Sequence, residues 1–464
     1  MKQIRISLIT AIPLFIAVLN FSCKKDFTNE PVIAEEPTSA SGKKPLDPGF
    51  VENDMVMYWN EKVTTVLGAP MRQPDRTRYY AMIQIAVHDA LNNIKPKYER
   101  LVLNERTQHA DPDAAVASAA YWAIKGLNRQ GSFPVDTWYN ESLATIHDGE
   151  SKELGITLGK HAAEAIIANR ANDGFTQIIV TSTTPPNGVM PGEYRSTLTS
   201  VNWVPTQTLS TVRTLPNWGT VMRPYVLESN QQFRPNGPYP VNSPEYTADF
   251  NEVKTKGARV NGVRSEEEIK KAQFWSEGRP SLLWNNLARL AIENKKLDAW
   301  KTARLFAMIH VCIAECMNTQ FNASYYYYSW RPETAIRLAA TDGNDNTIGD
   351  DTWLPFISEN PNFPTPPVPA SPNGWTAFGG ATAEILKQLL GSDETSIEMT
   401  TSSANPAVPL PKPSFHFLTF SQVARDNSLS MIYNGWDFRK SALDGEEMGR
   451  QIAEYVLTHA FREE

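Results

Sequence analysis

The sequence lacks the short motifs by which many enzyme classes are recognised. It has no glycine-rich phosphate loop with its lysine, no H-E-x-x-H metal pair and no G-x-S-x-G nucleophile turn. Its seven histidines are scattered, and none stands at metal-ligand spacing from another. These absences exclude the phosphate-loop, zincin and α/β-hydrolase patterns, so any function must rest on a less common set of residues.

Cysteine is also scarce, and the 51 acidic residues outnumber the 44 basic ones. The chain has three cysteines, and Cys312 and Cys316 stand four apart in a helical pattern, a spacing that makes a poor disulfide. We predict that both are small buried hydrophobic side chains and not metal ligands. The formal net charge of −7 gives no electrostatic reason for binding nucleic acid, and no nucleic-acid partner is expected.

One apolar run, Ile6–Leu19, stands near the N-terminus and is too short to span a membrane comfortably. The stretch "NFSCKKD" that follows resembles the bacterial lipoprotein signal, although the usual aliphatic residue three places before the cysteine is an asparagine. Residues 1–22 would then be a signal peptide, and Cys23 would carry lipid. The protein would be exported and lipid-anchored, facing the periplasm or cell surface, with its anchor as the only membrane contact. A cleaved secretory signal with an incidental cysteine is the alternative.

The remaining chain divides by composition. Residues 23–48 are polar and poor in apolar side chains, which predicts a disordered tether. Residues 49–464 show mostly helical periodicity, interrupted over 174–243 by an irregular excursion rich in Thr, Pro, Asn and Gly. We predict an all-α domain of helical bundles with long Pro-rich connections, with no strand pairs and a loop leading to Pro413. The helical segments read from the pattern are 77–94, 113–129, 152–173, 265–278, 281–296, 298–321, one from about Trp375, and 441–461.

Three segments carry the strongest functional signal. They are "YYYYSWRPETAIR" (325–337), "NFPTPPVPASPNGWTAFGGATAEIL" (362–386) and "HFLTFSQVARDNSLSMIYNGWDFRKSALDGEEMGRQIAEYVL" (416–457). The second is a Pro/Asn/Gly turn entering a helix, which is a natural anion site, yet Trp375 stands at its mouth. In order and spacing, these segments resemble the vanadium-dependent haloperoxidases and type 2 phosphatidic acid phosphatases, clearly over 300–460.

The resemblance implies an all-α fold in which cations and helix N–H groups hold vanadate or phosphate. It also implies a histidine that bonds vanadium or attacks phosphorus. The positions of this chain that match the family's site are Ser324, Arg331, Asn373, Gly374, Trp375, Met431 and Asp437.

Most of these positions depart from the family pattern. The expected lysine falls on Ser324 and the second arginine on Met431. Likewise, Asn373 replaces a serine, while Trp375 and Asp437 replace the two histidines. The flanking residues agree with the family, which supports the alignment.

Compared with the family's site, a doubly or triply charged oxyanion would lose several hydrogen-bond and charge partners here. Charge-assisted hydrogen bonds contribute about 1.5–3 kcal/mol each, so we expect a loss above about 5 kcal/mol, roughly four powers of ten in affinity. Vanadate binding should be weak or absent, with Arg331 and Gly374 as the remaining anion-binding candidates. We predict that Asp437 pairs with Arg331; the alternative is that both are solvated and unrelated.

Three functions stay open. The first is a non-catalytic or strongly diverged lipoprotein that acts as a binding or structural module, with its ligand or protein partner unknown. The second is a phosphoryl-transfer enzyme in which Asp437 is the nucleophile and His416 or Arg425 is recruited. The third is a vanadate-dependent halide-oxidising enzyme.

Overall fold

The computed structural model describes residues 51–176, 187–195, 217–276, 279–293, 295–357, 365–366, 368–401 and 411–464. The predicted signal peptide, Cys23, the tether and parts of the 174–243 excursion lie outside these residues. The described chain is mostly helical, which confirms the predicted all-α class.

Before the long central helix, the described chain has five helices ahead of the excursion, one short helix within it and three after it. These are α1 (Asp54–Leu67), α2 (Gln73–Ile94), α3 (Pro112–Gly126), α4 (Val135–Ala144), α5 (Glu150–Asn169), α6 (Trp218–Val221), α7 (Pro244–Lys256), α8 (Glu266–Phe274) and α9 (Pro280–Ile292).

The second half contains the long central helix and the helices that follow it. These elements are α10 (Ala299–Tyr327), α11 (Pro332–Leu338), a 3₁₀ turn (Ala339–Thr341), α12 (Gly374–Leu390), β1 (Glu394–Thr400), β2 (Ser414–Thr419), α13 (Phe420–Asn434) and α14 (Arg439–His459).

Local sequence explains where these helices begin. Asp111 accepts from Ala114 N, and Ser265 forms a capping box with Glu268 at the start of α8. The central helix α10 starts at the side-chain cap of Asp298 and is buried along most of its length. As its apolar pattern predicted, α10 lies between α2 and the C-terminal helices α12 and α14.

Small residues let the helices around the site approach closely. A Cβ on Gly449 of α14 would lie 1.9 Å from the carbonyl oxygen of Ala377 in α12. A Cβ on Gly445 would lie 2.1 Å from the carbonyl oxygen of Asn373. No larger residue fits at either position, so α14 is fixed directly against the N-terminal turn of α12.

The predicted loop between α12 and α13 is wrong in part. β1 and β2 form an antiparallel pair, in which Ile397 faces Phe417 and Met399 faces Phe415. Ile397, Met399 and Phe417 are buried, so the alternation of apolar and polar residues along β1 covers the core with one face. This short alternation of apolar and polar residues is the sequence signal for a strand, and the helical interpretation did not include it.

The described part of the irregular excursion packs onto the helices. Glu315 of α10 is buried and its Oε1 accepts from the backbone N–H groups of Tyr225, Val226 and Leu227, at 2.7, 2.6 and 3.1 Å. The Arg170 side chain donates to the carbonyl oxygen of Pro224 at 2.9 Å. These polar contacts explain how a segment with little regular structure keeps its place.

Two further observations concern the cysteines and the possibility of membrane-spanning helices. Cys312 and Cys316 are both free thiols in the buried part of α10, which confirms their predicted place in the core. Within the described ranges, no helix combines the length and the hydropathy needed to cross a membrane.

Candidate anion site

Arg331 lies immediately before α11 and points its guanidinium into the protein. The residue is 3% exposed. Its Nε donates to the carbonyl oxygen of Val368 at 2.8 Å, and its Nη1 donates to that of Trp436 at 3.0 Å. Nη1 also lies 3.2 Å from Asp437 Oδ2. The predicted Arg331–Asp437 pair is therefore confirmed.

Asp437 stands in the turn between α13 and α14 and is fully buried. Its Oδ2 accepts from Arg331 and also from Asn373 Nδ2, at 2.6 Å. Ser441 Oγ lies 3.1 Å from the other carboxyl oxygen, Oδ1, and 2.8 Å from the carbonyl oxygen of Ala370. The carboxyl group is thus held from three directions by side chains.

Burial dominates the acid–base behaviour of this group. Loss of hydration raises the pKa of Asp437 above its ordinary value, while the Arg331 guanidinium and the hydrogen bonds from Asn373 and Ser441 act in the opposite direction.

Asn373 joins the ion pair to the start of α12. Its Oδ1 accepts from the backbone N–H groups of Trp375 and Thr376, at 2.8 and 3.0 Å, and caps the helix. Its Nδ2 then has to face Asp437, since the amide oxygen is already used. One side chain therefore caps the helix and also donates to the carboxyl group. A serine could cap the helix, but it is too short to reach the carboxyl group as well.

Two other predicted positions lie in the same region but offer no charge. Ser324 is buried in α10, where its hydroxyl accepts from Gln320 Nε2 at 2.8 Å. Met431 is fully buried in α13, and its carbonyl oxygen accepts from Trp436 N and Asp437 N. Met431 contributes to the turn through its backbone rather than through a side chain at the site.

A cavity of about 50 Å³ remains beside the ion pair. Trp375 and Trp436 form part of its wall, with their ring centroids 5.3 Å apart and nearly perpendicular. The two indoles therefore narrow the site without filling it. The described residues that line the cavity are Gln73, Pro74, Met317, Gln320, Phe321, Arg331, Pro366, Val368, Pro372, Asn373, Gly374, Trp375 and Trp436.

Among these lining residues, Arg331 alone carries a charge, and none is a histidine. His416 is exposed on β2 next to Ser396, and Arg425 pairs with Glu446 at 3.0 Å. Neither of these two residues lines the cavity, so the structure does not bring them to the site. The described ranges contain no group of three or more His, Cys, Asp or Glu that could hold a metal ion.

Sequence reasoning missed several residues of the site. Asparagine before a helix is a good N-cap signal and could have identified half of the role of Asn373. Gln73 lies about 250 positions before the nearest lining segment, and no local pattern connects it with the site. Ser441 follows Asp437 by four residues. The sequence predicts that the two side chains lie close together only after both residues have been placed at the start of α14.

Comparison with known proteins gives three kinds of match. The family described as the VCPO second helical-bundle domain matches residues 304–463. A vanadium chloroperoxidase from Curvularia inaequalis is 22% identical, over 74% of this chain and 66% of its own length. The chain thus spans slightly less than two thirds of that relative.

Two solved structures share the fold. A structure described as the first bacterial vanadium-dependent iodoperoxidase superposes with a TM-score of 0.71 at 20% identity, covering 91% of this chain and 99% of that one. A holo-type bacterial vanadium-dependent chloroperoxidase gives a TM-score of 0.65 at 15% identity, covering 89% and 99%. Taken together, the comparisons show that residues 304–463 match the helical-bundle family model and that the chain shares the fold of solved vanadium-dependent haloperoxidases.

Proposed function

We propose that this protein is a non-catalytic or strongly diverged member of the vanadium haloperoxidase superfamily, in which an internal ion pair closes the oxyanion site. The observation that carries the proposal is the position of Asp437, whose Oδ2 lies 3.2 Å from the only charged group lining the cavity among the described residues. The carboxyl group already pairs with the guanidinium that an anionic ligand would need. The protein then acts as a binding or structural module.

The residues present do not fit vanadate. A multiply charged oxyanion needs several cationic donors, and here one guanidinium already serves two carbonyl oxygens and a carboxyl group. Ser324 and Met431 add no positive charge, and Trp375 cannot exchange a proton at neutral pH. We therefore derive no reaction step through vanadate.

The arrangement also argues against the phosphoryl-transfer alternative. A carboxylate nucleophile has to reach phosphorus, whereas Asp437 is fully buried and held by Arg331, Asn373 and Ser441. Attack would require breaking these contacts and exposing the carboxyl group.

Bromide oxidation and phosphate-ester hydrolysis, each measured with and without orthovanadate, test this proposal. We expect no turnover above that of an Arg331→Ala control. Vanadate-dependent bromide oxidation that is lost in the control would overturn the proposal. Phosphatase activity that needs no vanadate and disappears in Asp437→Asn would instead support the nucleophile mechanism.

We also propose that the protein is exported and anchored by lipid at Cys23. The support is the sequence pattern, in which an apolar segment precedes the cysteine and a polar tether of residues 23–48 follows it. Labelled palmitate should be incorporated by the wild-type protein and not by Cys23→Ala. Release of an unlabelled, soluble wild-type protein would support the cleaved secretory signal instead.

A further inference from the structure

A second pocket combines aromatic walls with a carboxylate. It measures about 50 Å³, and we call it the aromatic pocket. Among the described residues, it shares no lining residue with the cavity beside Arg331. Its lining includes four aromatic and two charged residues, which are Tyr239, Tyr246, Trp330, Phe438, Asp249 and Lys440.

The carboxylate of Asp249 has one oxygen without a partner. Asp249 belongs to α7 and is 9% exposed, and its Oδ2 accepts from the backbone N–H of Lys440 at 2.9 Å, which helps to cap α14. No described residue donates to Oδ1. Oδ1 nevertheless keeps accessible surface, because it is not one of the sealed oxygens of the described chain. Since Asp249 lines the pocket, a ligand there can reach this oxygen.

The cations nearby are already paired with other acids. Lys440 Nζ lies 2.9 Å from Asp444, and Arg439 lies 2.6 Å from Glu252. Asp249 forms no ion pair with a described residue, so these five side chains leave one negative charge beside the pocket. Burial raises the pKa of Asp249 above its ordinary value, although the Lys440 N–H opposes that rise. A cation at Oδ1 would offset the cost of burying this charge.

The aromatic walls favour the same sign of charge. Tyr246, Trp330 and Phe438 are all buried and all line the pocket. The ring centroids of Tyr246 and Phe438 lie 5.6 Å apart. The face of an aromatic ring attracts a cation within about 6 Å of its centroid, and the attraction is stronger where water is excluded.

The chain itself holds an ammonium group in this way at the edge of the pocket. Lys440 Nζ lies 5.0 Å from the ring centroid of Tyr239 and is paired with the carboxylate of Asp444. Ring and carboxylate together stabilise that ammonium. Asp249 repeats the combination on the pocket wall, with no cation of the described chain paired to it.

The size and the other polar groups limit the ligand. Holding one water takes about 10–15 Å³ of cavity, so a pocket of about 50 Å³ has room for about three or four groups of that size. The hydroxyl oxygens of Ser329, Ser371 and Tyr246 are sealed away from any ligand. The pocket therefore suits an ammonium group that carries one or two carbons, with the carbons against the rings.

We propose that the aromatic pocket binds a small primary ammonium group, which donates an N–H to Asp249 Oδ1 and packs its carbon against the rings of Trp330 and Phe438. A primary ammonium offers donors and a full positive charge, and its hydrogen bond to a carboxylate is charge-assisted. The inference goes beyond the proposed function and does not depend on it.

Ligand-observed NMR titration of the full-length protein tests this inference near neutral pH and at constant ionic strength. The probes are methylammonium, methanol, tetramethylammonium and potassium. We expect methylammonium to bind saturably and methanol to bind at least tenfold more weakly, because methanol carries no charge. Tetramethylammonium should also bind at least tenfold more weakly, because it has no N–H and is too large. Potassium should bind more weakly than methylammonium, since it gains nothing from an N–H donor.

Two variants test the groups assigned to the ligand. Asp249→Asn keeps an oxygen for the Lys440 N–H but removes the charge, and should weaken methylammonium binding at least tenfold. Phe438→Leu keeps an apolar side chain and loses the ring, and should weaken binding about threefold. The comparison of probes on the wild-type protein tests the inference even if either variant fails to fold.

Asp342→Asn is the matched control. Asp342 is 8% exposed, and its Oδ1 accepts from the backbone N–H of Asn344 at 2.7 Å, but it does not line the pocket. Methylammonium affinity should be unchanged in this variant. Equal losses in Asp249→Asn and Asp342→Asn would overturn the assignment of Asp249 as the ligand's partner.

The remaining outcomes each contradict the inference. It fails if no probe binds the wild-type protein, or if methanol binds as well as methylammonium. Potassium binding as tightly as methylammonium would make the pocket an inorganic cation site. Tighter binding of tetramethylammonium would exclude the N–H donation to Asp249. None of these results bears on the closed oxyanion site, which the vanadate experiments test separately.

Discussion

Glu315 and Asp437 are two fully buried carboxyl groups that the fold stabilises in different ways. Glu315 accepts three backbone N–H groups from residues 225–227 and has no hydrogen bond to a side chain of the described residues. Asp437 is bonded by the side chains of Arg331, Asn373 and Ser441. The first carboxyl group holds a segment of chain in place, whereas the second pairs with a cation that lines a cavity.

The comparison shows that burial alone does not identify a functional carboxylate. Burial raises the pKa of both groups above the ordinary value, and in each case the hydrogen-bond donors oppose that rise. The nature of the partners separates the two roles. A backbone-bonded acid should influence stability only, whereas an acid paired with the arginine of a cavity should influence both stability and anion affinity.

Asp437→Ala should produce the largest effect. It leaves the Arg331 guanidinium buried with no counter-charge, which costs about 3–5 kcal/mol in the free energy of unfolding. Urea denaturation measures this loss. Arg331→Met combined with Asp437→Leu should recover most of it, because neither charge is then buried. A double variant no more stable than Asp437→Ala would show that the charge pair is not the source of the effect.

Glu315→Ala should follow, with a loss of about 3 kcal/mol. It removes the acceptor of three backbone N–H groups, although the 225–227 segment can recover part of the cost by rearranging. Glu315→Gln keeps one carbonyl oxygen and should lose much less. Neither variant should gain anion binding, and a gain would contradict the division of roles between Glu315 and Asp437.

His310 is a third buried ionisable side chain, and it is stabilised in the fold by staying uncharged. It is fully buried, stacks on Tyr80 at 4.0 Å, and its Nε2 lies 2.8 Å from Asn285 Oδ1. Burial lowers the pKa of His310 to about 3. The unfolded chain takes up a proton near pH 6.5, so the stability is fully present above that pH and is lost as pH falls toward 3.

Between pH 7 and pH 5 this coupling should remove about 2 kcal/mol from the free energy of unfolding. Urea denaturation at both pH values measures it, and His310→Gln should flatten the dependence. His161→Gln is the control, because His161 is partly exposed beside Glu105. An equal change in the pH dependence of stability in both variants would exclude His310 as the origin of that dependence.

Asn373→Ser should give the smallest loss, about 1.5 kcal/mol, because serine can still cap α12 but does not reach Asp437. Asn373→Ala should cost about 1 kcal/mol more, since the cap is also lost. Thermal or urea unfolding measures both steps. Equal stabilities for the serine and alanine variants would contradict the dual role of Asn373.

The sequence predicted the framework better than the site. The helical periodicity placed α10, α12 and α14 within a few residues, and the order of the three motif segments placed Arg331 and Asp437 near each other. β1 and β2 were missed because a seven-residue alternation is a weak signal beside long helices. Gln73 could not be predicted, because its approach to Arg331 depends on tertiary packing between segments far apart in the chain.

Titration of the wild-type protein with orthovanadate tests the central claim most directly, with Asp437→Asn measured beside it. If the Arg331–Asp437 pair closes the oxyanion site, the wild-type protein shows no saturable binding. The Asp437→Asn variant removes the opposing charge and should bind measurably better. Tight, saturable binding of vanadate to the wild-type protein, undiminished relative to Asp437→Asn, would contradict the account.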